Sequence, residues 1–197
     1  MKLGDIVQIQ SGLPFRSRIE SNPDGRVVVI QARDLEIEGL VRADTAARLR
    51  ELPFSPKSWL QAGDVILQPR GSSYGVAEFA GLDGTAVIAA PLLALRADHR
   101  AVHSPFLVAF LRSPTTQALL RQAAVGTHVP QVPRQDIEAL PIVLPNLADQ
   151  IALASLAELE RCEREVMGRV RAARSRLFDL AIKQVAHRAS PLHSRQG

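Results

Sequence analysis

Three stretches hold most of the side chains with which this 197-residue chain could do chemistry. In Arg70-Gly71-Ser72-Ser73-Tyr74-Gly75 the glycines let the backbone come close to a partner, two hydroxyls offer hydrogen bonds, and Arg70 and Tyr74 supply charge and stacking. That mixture suits a nucleic acid. As a phosphate cradle it lacks the Lys-Ser/Thr ending of a P-loop, and the same string fits a polar hairpin turn equally well. Gly126-Thr127-His128-Val129-Pro130-Gln131-Val132 is a second polar loop, which could equally be a plain helix-to-strand connection held by Pro130 and Pro133. His99 and His103 have the i,i+4 spacing of a metal-ligand pair, but no third ligand such as cysteine lies nearby, so solvated histidines and no metal are expected. Asp64, Glu78 and Asp83 lack the closely following lysine of a nuclease core, and no serine elbow or Gly-x-Gly-x-x-Gly loop occurs. Cys162 lies in a helical seam and reads as a small packing or interface residue rather than a nucleophile. With no catalytic set, a binding protein is expected rather than an enzyme.

The elements that must position these loops divide at Pro145. Composition is ordinary for a globular chain, 46% apolar and 22% charged, with a formal charge of +4 carried mostly by arginine. Arginine favours bidentate contacts to phosphate and guanine. A single cysteine forms no internal disulfide, and Asp5 precedes any apolar run, so neither a leader nor a spanning segment is expected and the protein reads as cytoplasmic. Residues 1–145 alternate short β-branched or apolar runs with turn residues. Val27–Ile30, Val65–Leu67, Val76–Phe79, Ala86–Ile88 and Leu92–Leu95 are expected strands with hairpin-like spacing. Ser104-Pro105 and Ser113-Pro114 each announce a short helix by a capping hydroxyl before a proline at the first helical position, and Gly126 suits a left-handed helix end. Both helices are expected to pack on the sheet.

Residues 146–189 read as one long helix, with Asn146 as its cap and Asp149 beside its N-terminus, and 190–197 as a disordered tail. A heptad frame places Leu156, Glu163, Val170, Leu177 and Gln184 at a, and Ala152, Leu159, Val166, Ala173 and Leu180 at d. Two polar a residues and two d alanines describe a modest seam with a specified register. Leu156, Leu159, Val166, Val170, Leu177 and Leu180 are the expected dimerisation residues. Residues 152–184 would form a rod of roughly 50 Å.

Taken in order, these pieces resemble one half of a DNA-specificity (S) subunit of type I restriction-modification systems. The resemblance rests on Leu3-Gly4-Asp5-Ile6 with Ser11-Gly12 and Pro14-Phe15; Leu60 with Gly63-Asp64-Val65-Ile66-Leu67 and Arg70-Gly71; and Gly126-Thr127 with Pro130 and Val132. It continues through Ile137, Leu140, Ile142, Leu144-Pro145 and Leu147 to Gln150-Ile151 at the start of the helix. It implies an α+β fold: a strand-rich target-recognition domain (1–145) with short helices, followed by a coiled-coil dimerisation helix (146–189). Such subunits usually carry two recognition domains, each with its helix; one of each is present here, which implies a half-length form acting as a homodimer. The implied partners are double-stranded DNA, the methyltransferase (modification) subunit and the restriction subunit, with S-adenosylmethionine, Mg and ATP belonging to those subunits. Base contacts vary within the family. Arg16, Arg18, Arg33, Arg70, Ser72, Ser73, Tyr74, Thr127, His128 and Gln131 are therefore expected DNA contacts on residue chemistry and loop placement alone. The rival expectation is a non-catalytic coiled-coil adaptor whose strand-rich domain binds protein.

Overall fold

A computed structural model of the chain describes residues 1–35, 39, 41–52, 59–71 and 74–189, the last three as backbone only. The expected tail, 190–197, lies outside the described residues, as do Ser72 and Ser73.

Seven strands form two sheets. Strands β1 (Val7–Ser11), β7 (Leu93–Ala97), β4 (Asp64–Leu67) and β5 (Val76–Phe79) lie in the order β1-β7-β4-β5, all antiparallel. The second sheet has the order β3 (Ala47–Leu49), β2 (Val27–Ile30) and β6 (Thr85–Ile88), with β2 antiparallel to β3 and parallel to β6. Four of the expected strands fall where the β-branched runs put them, and the fifth is displaced by one residue to Leu93. The hairpin expectation holds for β4–β5 but not for β2, whose parallel neighbour lies more than fifty residues away.

Alternation along the central strands explains why they read as unbroken apolar runs. Val65 and Leu67 of β4, with Leu93 and Leu95 of β7, face a core shared with the helices. Ile66 and Ala94 point the other way and meet Val28, Ile30, Ala86 and Ile88 of the second sheet. Every residue of β4 is buried, as expected of a strand covered on both faces. Beyond the second sheet, Val27, Val29 and Val87 are covered by Phe15, Ile19, Leu49 and Leu52. Gly12 sits where this layer is tightest: a Cβ there would lie 2.5 Å from the backbone of Ala89.

Helix α1 (Ser104–Arg112) lies on β4 and β5, while α2 (Pro114–Ala123) packs on α1 and on the short α3 (Arg134–Glu138). The two Ser-Pro signals separate. Ser113 caps α2 as expected, its Oγ accepting from the Thr116 amide at 3.2 Å. Ser104 does not cap α1. It is the first helical residue, buried, with Oγ 3.5 Å from His99 Nδ1, and His103 occupies the cap position. Gly126 has φ +108° but lies beyond the end of α2, in the loop that follows.

Helix α4 runs from Leu147 to Ala189, 43 residues. Asn146 caps it: its Oδ1 accepts from the Asp149 amide at 3.0 Å and its Nδ2 donates to Asp149 Oδ2 at 2.7 Å. Close packing groups Met1–Ala154 as one unit and Ser155–Gly197 as another, so the first turns of α4 belong with the strand-rich unit. Gln150 is the reason. Only 1% exposed, it accepts from the His103 amide at 2.9 Å and donates to the carbonyls of Ala101 and Pro145, both at 2.9 Å. No helix among the described residues is long and apolar enough to cross a membrane.

Glu78 has a pH consequence. Burial raises the Glu78 carboxyl above the usual carboxylate range, and the nearby His103 and His99 oppose the shift while charged. A carboxyl held above its unfolded value contributes stability at acid pH that is lost as pH rises through the folded value. Glu78→Gln removes that dependence. Thermal melts of the variant and wild type should diverge in the variant's favour as pH is raised from 4 to 8; melts that stay parallel would show Glu78 to be well solvated.

Candidate nucleic-acid interface

The two polar loops singled out in the sequence form one surface. Val125 and Gln131 exchange backbone hydrogen bonds of 3.0 and 2.9 Å, closing Gly126–Pro130 into a hairpin tip after α2. The returning limb bridges to the first loop: Gly71 N donates to Pro130 O and Val132 N to Pro69 O, each at 2.9 Å, with Arg70 opposite Gln131. Gln68 braces the other side. Its amide donates to Gly75 O at 2.8 Å and its Nε2 to Arg70 O at 2.9 Å, so a single residue spans the neck of the loop. Gly71 has φ +114°, a conformation that side chains rarely adopt, and Val132, 1% exposed, anchors the hairpin in the core.

Arg70, Thr127, His128 and Gln131 all lie exposed on these bridged loops. Their chemistry is a cation, a hydroxyl, an imidazole and an amide, on backbone fixed by a buried residue at its base. Such a set can grip phosphate oxygens and read base edges, Arg70 being suited to guanine and Gln131 to adenine. Tyr74 is a correction. It is 5% exposed and packed in the helix-side core, and its carbonyl accepts from Gln117 Nε2 of α2 at 3.1 Å, so its ring is not available for stacking on a base. The loop holds a tyrosine because the core continues beneath it.

The remaining expected contacts lie elsewhere. Arg33 is exposed in a 3-10 turn, Ala32–Asp34, with Nε 3.8 Å from Asp34. That turn adjoins the first loop, since a side chain at Gly75 would touch Leu35. Arg16 and Arg18 are exposed on the segment following β1, whose Phe15 and Ile19 cover the second sheet. Two cations outside the expected set flank the hairpin: Arg121 in the last turn of α2, and Arg134 at the start of α3, the latter tied to Glu138 at 2.7 Å. Arginines immediately before and after a polar loop are a legible signal. No group of three or more His, Cys, Asp or Glu among the described residues is placed to hold a metal.

No protein-family profile and no curated protein matches the sequence. Solved structures do match the fold. The HsdS subunit from Thermoanaerobacter tengcongensis superposes with a TM-score of 0.59 at 16% identity, over 86% of this chain and 38% of that one. A chain from work on complex assembly and conformational transition of the type I R-M system gives 0.66 at 17%, over 91% and 42%. The type I restriction-modification S subunit from M. genitalium gives 0.56 at 15%, over 98% and 46%. The fold defined by the two sheets, the short helices and α4 is thus that of type I S subunits. The chain spans less than half the length of each of these neighbours.

Proposed function

We propose that this chain is a DNA-specificity subunit that reads one half-site of a bipartite sequence and pairs with a second copy through its C-terminal helix. The single observation that carries this reading is the bridge between Arg70 and Gln131, which joins two exposed polar loops into one reading surface on the fold of an S subunit. In this role the chain performs no chemistry. It positions DNA for a methyltransferase subunit, which would supply S-adenosylmethionine and act on a flipped adenine; a restriction subunit would bring Mg and ATP.

Arg70 is the sharpest test at the level of bases. If it reads a guanine edge, Arg70→Ala should cost about 1–3 kcal/mol on the cognate duplex and little on scrambled DNA. Equal loss on both would make it a phosphate contact, and no loss on either would remove the loop from the interface.

The cognate site comes from selection among random duplexes with the protein and its methyltransferase partner. Two identical readers inverted by an antiparallel helix pair should recover an interrupted palindrome. Adding one heptad between Leu159 and Leu177 should change the preferred gap and leave each half-site unaltered. Recovery of an asymmetric motif would mean that a different specificity chain supplies the second half.

A further inference from the structure

The exposed face of α4 contains enough pattern to fix how a second copy would lie on it. We infer that the antiparallel pair proposed above has a single register, with the two-fold axis beside Gly168, so that a and d residues whose numbers sum to 336 face each other across the seam. This deepens the self-pairing reading above and rests on it. The starting observation is that Leu156, Leu159, Val166, Val170, Leu177 and Leu180 are between 37% and 68% exposed in the single chain. Phe178, Ile182 and Val185, off this seam, are as exposed, at 67%, 51% and 67%, so the heptad spacing and not the exposure marks these six as a seam for a second helix.

In the inferred register the large residues meet large ones: Leu156 faces Leu180 of the second copy, Leu159 faces Leu177, and Val166 faces Val170. Glu163, the one charged residue in these layers, falls opposite Ala173, whose short side chain leaves the carboxylate a path to water. The flanks agree. At the e positions Glu160 faces Arg174, twice by symmetry, and Met167 meets its own copy. Glu160 is 64% exposed as a side chain and lies 3.2 Å from Arg164 of its own helix, close enough to be shared with a partner arginine. The only like-charged approach among the e and g positions from 155 to 183 is Arg169 against its own copy at the rim.

The alternatives lose these features. A slip of one heptad either way places Glu160 opposite Ala181 or Met167, and Arg174 opposite Met167 or Leu153, so no attractive pair remains. A parallel in-register pair buries Glu163 against itself and sets Arg169 beside Arg174. Charge complementarity therefore selects both the orientation and the register.

The experiment uses the full chain with Cys162→Ser and one spin label at a time on Gly168→Cys, Ser175→Cys or Ile182→Cys. These positions share one outward face of the helix. Their label-to-label axial offset should be near zero at 168 and grow by about 21 Å at each step of seven residues, from 1.5 Å per residue counted on both chains. A second arm is a charge swap: Glu160→Arg should raise the dimer dissociation constant on the order of tenfold, and adding Arg174→Glu should restore it. Equal distances at all three positions, or a minimum away from 168, would overturn the register while leaving self-pairing intact. A wild-type chain that stays monomeric in light scattering at tens of micromolar would overturn both.

Discussion

Arg96→Met should destabilise the Met1–Ala154 unit by about 3–5 kcal/mol, the cost of leaving one partner of a buried ion pair behind. Asp64 is 0% exposed at the start of β4, and Arg96 lies directly across from it on β7, as the Val65–Leu95 register requires. Arg96 Nε and Nη2 donate to the two carboxylate oxygens at 2.8 and 2.6 Å, and Nη2 also donates to Trp59 O at 2.8 Å. The hydrogen bonds to Asp64 raise the guanidinium further above its ordinary value, against the opposing effect of burial. Among the described residues, the Asp64 carboxylate retains only the Gln61 amide, at 2.8 Å, once the arginine is gone. Urea unfolding followed by circular dichroism measures the loss. Asp64→Asn combined with Arg96→Met should recover part of it, because the buried charge is removed along with its partner. A loss below about 1 kcal/mol for the single variant would mean that water reaches Asp64 and the pair behaves as a surface bridge.

The same pair shows where sequence reasoning reaches and where it stops. Gly63-Asp64-Val65-Ile66-Leu67 announces a turn and a strand, and Gly63 does adopt φ +85° before β4. Nothing local says that Asp64 is buried or that its partner lies 32 residues away on β7. The strands built from β-branched runs were legible for the local reason that such residues suit a pleated, covered surface. β3, with the residues Ala47, Arg48 and Leu49, carries no such signal and exists because β2 offers it an edge. β1 does carry one: Val7 and Ile9 are buried, with the exposed Gln8 between them, the alternation of a strand covered on one face.

The candidate interface divides along the same line. Loop composition located Arg70, Thr127, His128 and Gln131, since glycine, hydroxyl and amide side chains mark segments with free backbone groups. That the two loops bridge each other is a tertiary fact, fixed by Val132 and Gln68, which no motif announces. Tyr74 misled because an aromatic in a polar loop looks like a reader until the core beneath it is known. Gln150 marked the start of α4 in the sequence. Its side chain also does what the neighbouring alanines could not, joining three backbone groups from the segments before and beside the helix.

If the proposed self-pairing holds, Val166→Asp combined with Val170→Asp should convert dimers into monomers and separate the two halves of the proposed activity. Both valines are exposed in the single chain, at 55% and 37%, and lie in the Ser155–Gly197 unit, so the fold of Met1–Ala154 and its thermal transition should be unchanged. In the proposed pair they would form the central layers, where the substitutions would place four carboxylates per dimer. Desolvating unpaired carboxylates costs on the order of several kcal/mol, enough to raise the dissociation constant more than about 100-fold. Light scattering at tens of micromolar reads the change. The effect on DNA follows from linkage rather than from any lost contact: two joined readers bind a two-half-site duplex with an avidity of roughly 10²–10⁴ over one reader. The variant should therefore lose that factor on the interrupted palindrome while matching wild type on a single half-site. A variant that stays dimeric would place the interface away from this seam. One that loses half-site binding as well would show that the helix contributes to reading and not only to spacing.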